Sequence, residues 1–156
     1  MALVGCSRTA PPADGAPQAA ASATPAAATS SPQALKHPCT LLTASDAEAV
    51  PGVGAKLKRN SDSSCILETP NPLGPVIEVK IEKLPSTWDG GEMMMKFDRE
   101  AKKVEGIGDG AYTFGGGTII FKKGAAEVSV ITSAYQGRKS KFDAAKYLAE
   151  RLVAAM

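Results

Sequence analysis

The chain has 156 residues, 44% of them apolar and 22% charged, with a formal net charge of +2. That length suits one core of ordinary size rather than two, and no apolar run reaches the roughly 18 residues of a spanning helix. Removing Arg8, Lys36 and Asp14 of the low-complexity N-terminal part from the 18 basic and 16 acidic residues leaves 16 against 15. So balanced a remainder argues against a nucleic-acid partner.

At the start, Leu3-Val4-Gly5-Cys6 resembles the lipobox of bacterial lipoproteins. In that motif an apolar residue, a variable small or apolar one and Gly or Ala precede a cysteine that becomes the acylated first residue. The resemblance implies lipidation at Cys6, residues 1–6 as the remnant of a lipoprotein signal, and a place in the bacterial envelope facing the periplasm or exterior. Residues 7–36 are dominated by Ala, Pro, Ser and Thr, a composition that cannot bury enough apolar surface to offset its ordering entropy. They are expected to be a disordered tether with a reach between about 30 Å as a flexible coil and about 90 Å fully extended.

From His37 to Met156 the sequence reads as one domain. Cys39 and Cys65 are its only cysteines, and an even pair in an exported chain is normally a bridge. Neither their spacing nor the lone His37 matches a zinc pattern, so no metal or other cofactor is expected. Thr43, with Asp46 three residues on, starts a short helix that ends before Pro51 and Gly52. Lys56–Arg59 and Ser64–Glu68 read as a hairpin across residues 60–63. Ile77, Val79 and Ile81 then alternate with Glu78, Lys80 and Glu82, the signature of an antiparallel strand with one wet face, and Pro85 ends it.

Residues 92–104 show helical spacing, with Met94, Phe97, Ala101 and Val104 on one stripe. Three strands are predicted next, over 111–114, 118–122 and 127–135, with glycines at the turns. Ser140 and Asp143 open a terminal helix whose Phe142, Ala145, Leu148, Ala149, Leu152 and Met156 recur at helical spacing. The expected class is α+β: an antiparallel sheet of about five to six strands with helices mainly on one face, in the order α-βββ-α-βββ-α.

Cys39-Thr40-Leu41-Leu42-Thr43, the second cysteine in an early strand, Val104 to Tyr112 with its Gly-Ile-Gly-Asp-Gly run, and Tyr147-Leu148-Ala149-Glu150-Arg151-Leu152 together resemble the uncharacterised secreted lipoprotein domains of actinobacteria and some proteobacteria. The resemblance spans most of residues 38–155. It implies location and fold, and a paired Cys39 and Cys65, but transfers no catalytic residue.

Candidate chemistry is sparse. Gly106-Ile-Gly-Asp-Gly-Ala111 has the spelling of a dinucleotide fingerprint, yet that motif needs a helix after it and here a strand is predicted. Asp109 suits a turn-stabilising role instead. His37 reads as a boundary residue, because no nucleophile and acid are singled out to accompany it. Asp89, Glu92, Asp98 and Glu100 read as charge on an exposed helix face rather than as a carboxylate pair for glycoside cleavage. The candidate contact patch is Trp88, between turn residues, with Met93 and Tyr112. Together these readings lead to a lipid-anchored, non-catalytic head that binds another envelope protein or a cell-wall component. The alternative is a small periplasmic hydrolase or ligand-transfer protein.

Overall fold

Alternation in Val76–Lys83 places Ile77, Val79 and Ile81 on one face, where they are 0%, 0% and 3% exposed, and turns Glu78, Lys80 and Glu82 away. This strand, β3, organises the rest of the sheet in a computed structural model that describes residues 34–71, 76–84, 92–137 and 139–156. Before it come β1 (Lys56–Arg59) and β2 (Ser64–Glu68); after it come β4 (Lys102–Val104), β5 (Gly110–Phe114), β6 (Thr118–Lys123) and β7 (Ala126–Ile131). The seven strands form one antiparallel sheet in the order β1-β2-β3-β7-β6-β5-β4. Two meanders therefore meet where β3 pairs with β7, with Val79 opposite Val130 and Ile81 opposite Val128. The edge strands are the shortest and are rich in lysine (Lys56, Lys58, Lys102, Lys103), which blunts them against pairing with other chains.

One face of the sheet is covered by helices. In α4 (Lys141–Ala155), Ala144, Ala145, Leu148, Ala149 and Leu152 are fully enclosed against β6 and β7. Alanine at three of those five positions lets the helix lie close over Phe121 and Val130. The other half of the sheet is covered by α1 (Pro38–Leu41) and α2 (Ala44–Ala49), which insert Leu41, Leu42, Ala47 and Val50 into the same core. A Cys39–Cys65 disulfide, with Cα atoms 5.2 Å apart, joins α1 to β2. The helix start expected at Thr43 is present, and it is a full capping box: the Asp46 amide donates to the Thr43 hydroxyl and the Thr43 amide to the Asp46 carboxylate.

The α+β class holds, but the sheet has seven strands rather than five to six. The additional strand comes from the predicted helix over 92–104, which ends at Phe97 as α3 (Glu92–Phe97). Asp98 then turns the chain, its carboxylate accepting from the Glu100 amide at 2.8 Å and its carbonyl from the Ala101 amide at 3.2 Å. Lys102–Val104 can therefore pair with β5, with Val104 opposite Ala111. α1 is an additional short helix before the one predicted from Thr43.

The strand predicted over 127–135 also stops early, at Ile131, because the Tyr135 amide closes a turn onto the Thr132 carbonyl at 2.9 Å. Tyr135 is 1% exposed and its hydroxyl donates to the Val50 carbonyl at 3.0 Å. Tyr135→Phe should leave that acceptor without its partner and cost about 1–2 kcal/mol. Chemical denaturation will measure this, and an unchanged midpoint would show that the bond contributes nothing net.

Candidate functional site

Strand β6 contains Ile119, Ile120 and Phe121 in succession, and only alternate residues can face the helices. Ile119 and Phe121 do so and are 0% exposed, which forces Ile120 onto the opposite face. There it lies across from Tyr112 of β5, while Phe114 lies across from Thr118 and Ile131 across from Glu78. Tyr112, Phe114, Ile120 and Ile131, all half-buried, thus form an apolar strip on the outer sheet face. Ser129, Lys80 and Glu78 continue the same rows toward β3. The Gly115 amide donates to the Asp98 carboxylate at 3.0 Å, tying the end of α3, with its 80% exposed Phe97, to the β5 end of this strip. That amide and the one of Glu100 hold the Asp98 carboxyl below the usual carboxylate range.

Of the predicted contact patch, Tyr112 is therefore on the outer face, Trp88 lies outside the described residues, and Met93 belongs to α3 with its side chain outside the description. Asp89 is likewise outside it. Phe114, Ile120 and Ile131 were not singled out from the sequence; the run of apolar residues at 119–121 was the available signal.

The glycine-rich run is a turn between two strands, β4 and β5, with no helix after it. Its Ile107 is 2% exposed and packs into the core. Asp109 does not bond within its own turn: its amide donates to the Lys122 carbonyl at 2.8 Å and its carboxylate accepts from the Gly124 amide at 2.7 Å. The residue fastens one turn to the neighbouring hairpin and is occupied structurally.

His37 is more than a boundary residue. Its Nδ1 accepts from the Cys39 amide at 3.1 Å and caps α1, while its Nε2 lies 2.8 Å from the Ser61 carbonyl. These two contacts fit the neutral ring with the proton on Nε2.

The densest polar cluster surrounds Asp46, which is 2% exposed. Besides the capping box, its carboxylate accepts from the Thr43 hydroxyl at 2.7 Å, from Arg151 Nε at 2.8 Å and from the Tyr147 hydroxyl at 3.3 Å. Lys139 Nζ stands 5.7 Å from the centre of the Tyr147 ring. Burial pushes the Asp46 carboxyl up, but the Thr43 hydrogen bonds and then Arg151 outweigh it and hold the pKa below the ordinary 3.8. Burial and the Asp46 charge raise Tyr147. With all these partners engaged, the cluster works as a latch between α2 and α4. Sequence reading found its Thr43–Asp46 half alone, since Arg151 is 105 residues away.

A depressed folded-state pKa means the Asp46 contribution is complete above the unfolded value and lost as pH falls through the folded one. Stability should therefore hold above the ordinary 3.8 and decline below it. Asp46→Ala should cost about 2 kcal/mol at neutral pH through the lost cap and charge-assisted bonds and flatten that acid limb. Urea denaturation of both proteins between neutral and acidic pH will measure this; parallel curves would refute the role given to Asp46.

Among the described residues no three His, Cys, Asp or Glu side chains are grouped to hold a metal ion, and no helix is long and apolar enough to cross a membrane. Comparison with protein-family models, with curated proteins and with solved structures finds no match to this chain.

Proposed function

We propose that this chain is a lipid-anchored envelope lipoprotein: Cys6 carries the lipid, residues 7–36 are the tether, and the domain that follows is a non-catalytic head. The head binds another envelope protein or a cell-wall component. One observation carries the reading. Of three cysteines in the sequence, two are joined as Cys39–Cys65, as suits an oxidising compartment; the third, Cys6, closes Leu3-Val4-Gly5 in the lipobox pattern. The resemblance to secreted lipoprotein domains points the same way.

For the binding role, support comes from the outer strip of Tyr112, Phe114, Ile120 and Ile131 and, in the sequence, from the aromatic Trp88 shortly before α3 and the methionine Met93 within it. Aromatic residues held on a sheet supply contact area at low entropic cost.

The anchor is tested by the intact mass of membrane-extracted protein expressed in a bacterium with its native leader. An acylated Cys6, and release of Cys6→Ser to the soluble fraction, are expected; an unmodified Cys6 would refute the anchor. For the head, crosslinking in intact cells should capture a defined partner whose yield falls roughly tenfold or more in Trp88→Ala with Tyr112→Ser. Unchanged capture by a variant with wild-type melting behaviour would remove the patch.

A further inference from the structure

Residues 37–50 contribute no strand to the sheet, yet they cover its β1–β3 half. Their two helices have four and six residues, too few to be stable without tertiary contacts. What holds them is a small apolar anchor of Leu41, Leu42, Ala47 and Val50 together with discrete fastenings at separate points. Cys39 is bonded to Cys65 in β2. Asp46 is latched to Arg151 and Tyr147 of α4. The Val50 carbonyl accepts from Tyr135, and the His37 ring reaches the Ser61 carbonyl. The remaining core has its own closure, because α4 packs directly on β6 and β7 through Leu148, Leu152, Phe121, Val128 and Val130. Segments with few buried apolar contacts open locally before the whole fold does, so the discrete fastenings are what hold this one down.

We propose that residues 37–50 form a redox-gated strap: reduction of Cys39–Cys65 lets this segment leave the β1–β3 half of the sheet as one unit, while the sheet and α4 stay folded and the Asp46 latch limits the opening. The inference does not depend on the lipid anchor or on the binding role. Cys39 is half-buried and Cys65 is 0% exposed, so a reductant approaches the bond from the Cys39 side. The reductant is a dithiol. One of its thiolates attacks to give a mixed disulfide, and its second thiol displaces the protein sulfur. The dithiol is oxidised to its cyclic disulfide, and the two electrons and two protons end on Cys39 and Cys65 as thiols.

The test is native-state hydrogen exchange followed by mass spectrometry on the full chain, oxidised or reduced with dithiothreitol, for the native protein and Asp46→Asn. The Ala47 amide, which donates to the Thr43 carbonyl at 3.2 Å, reports on α2. Reduction is expected to speed exchange across 39–50 by about a hundredfold, within the limit set by loop closure. Peptides from β3, β7 and α4 should speed up only as far as the lost global stability requires and stay at least about tenfold slower than 39–50 in the reduced protein, as local opening requires. Asp46→Asn alone should open the strap by several-fold, and reduction of that variant should open it further than either change does separately. Arg151→Ala, made on the exposed side of α4, should reproduce the effect of Asp46→Asn in the oxidised protein. Exchange at 39–50 no faster than in β3, β7 and α4 of the same reduced protein would mean that the segment opens only with the whole domain and would overturn the proposal. So would unchanged exchange at 44–50.

Discussion

Gly108→Ala is expected to destabilise the fold by about 3 kcal/mol, lowering the melting temperature by about 10 °C. Two effects combine. Gly108 has φ +55, where a side chain is strained, and a Cβ there would stand 2.3 Å from the Lys122 carbonyl oxygen and 3.0 Å from Phe121 Cδ2. The carbonyl cannot retreat cheaply, since it accepts the Asp109 amide at 2.8 Å. Phe121 cannot either, being enclosed under α4. Gly106→Ala is the control: its φ is +80 but a Cβ would meet nothing within 4 Å, so the strain alone remains, about 1 kcal/mol. Thermal denaturation of the two variants separates the contributions. Equal losses would show that the close approach to Lys122 does not matter.

Removing the bridge with Cys39→Ala and Cys65→Ala together should cost about 3.5 kcal/mol, the chain-entropy value for a loop of this length, for a sequence separation of 26. Most of that loss arises in the unfolded chain, which gains freedom when the crosslink goes. Equilibrium urea denaturation checks it at neutral pH. A loss under about 1 kcal/mol would show that the bridge barely restricts the unfolded chain. If the strap opens first, the variant will also show an early exchange phase confined to 37–50, ahead of the main transition.

Local patterning was sufficient wherever one residue and its near neighbours settle the outcome. The alternation in β3 set its register, because period-two spacing leaves only one face for Ile77, Val79 and Ile81. Thr43 with Asp46 and Ser140 with Asp143 marked two helix starts, since a cap needs a partner three residues on. The pairing of Cys39 with Cys65 followed from there being two cysteines in the domain. Helical spacing over 92–104 misled for an equally local reason: Asp98 offers its carboxylate to nearby amides in a turn at least as readily as it joins a helix. Nothing in the spacing of Met94, Phe97, Ala101 and Val104 reports that competition.

Residue order along the chain was thus enough to specify the α+β class, most element positions and the bridge, because those depend on neighbours within a few residues and on the arithmetic of apolar spacing. The packed domain alone decided that β3 would meet β7 and that Lys102–Val104 would become a seventh strand. It also decided that Asp109 would serve Gly124, and that Asp46 would reach Arg151. All but the pairing of Lys102–Val104 with β5 join groups fifteen or more residues apart in sequence. A carboxylate chooses among distant donors only when the core brings them within hydrogen-bond distance, and a strand edge chooses its partner only when both apolar faces have been buried together.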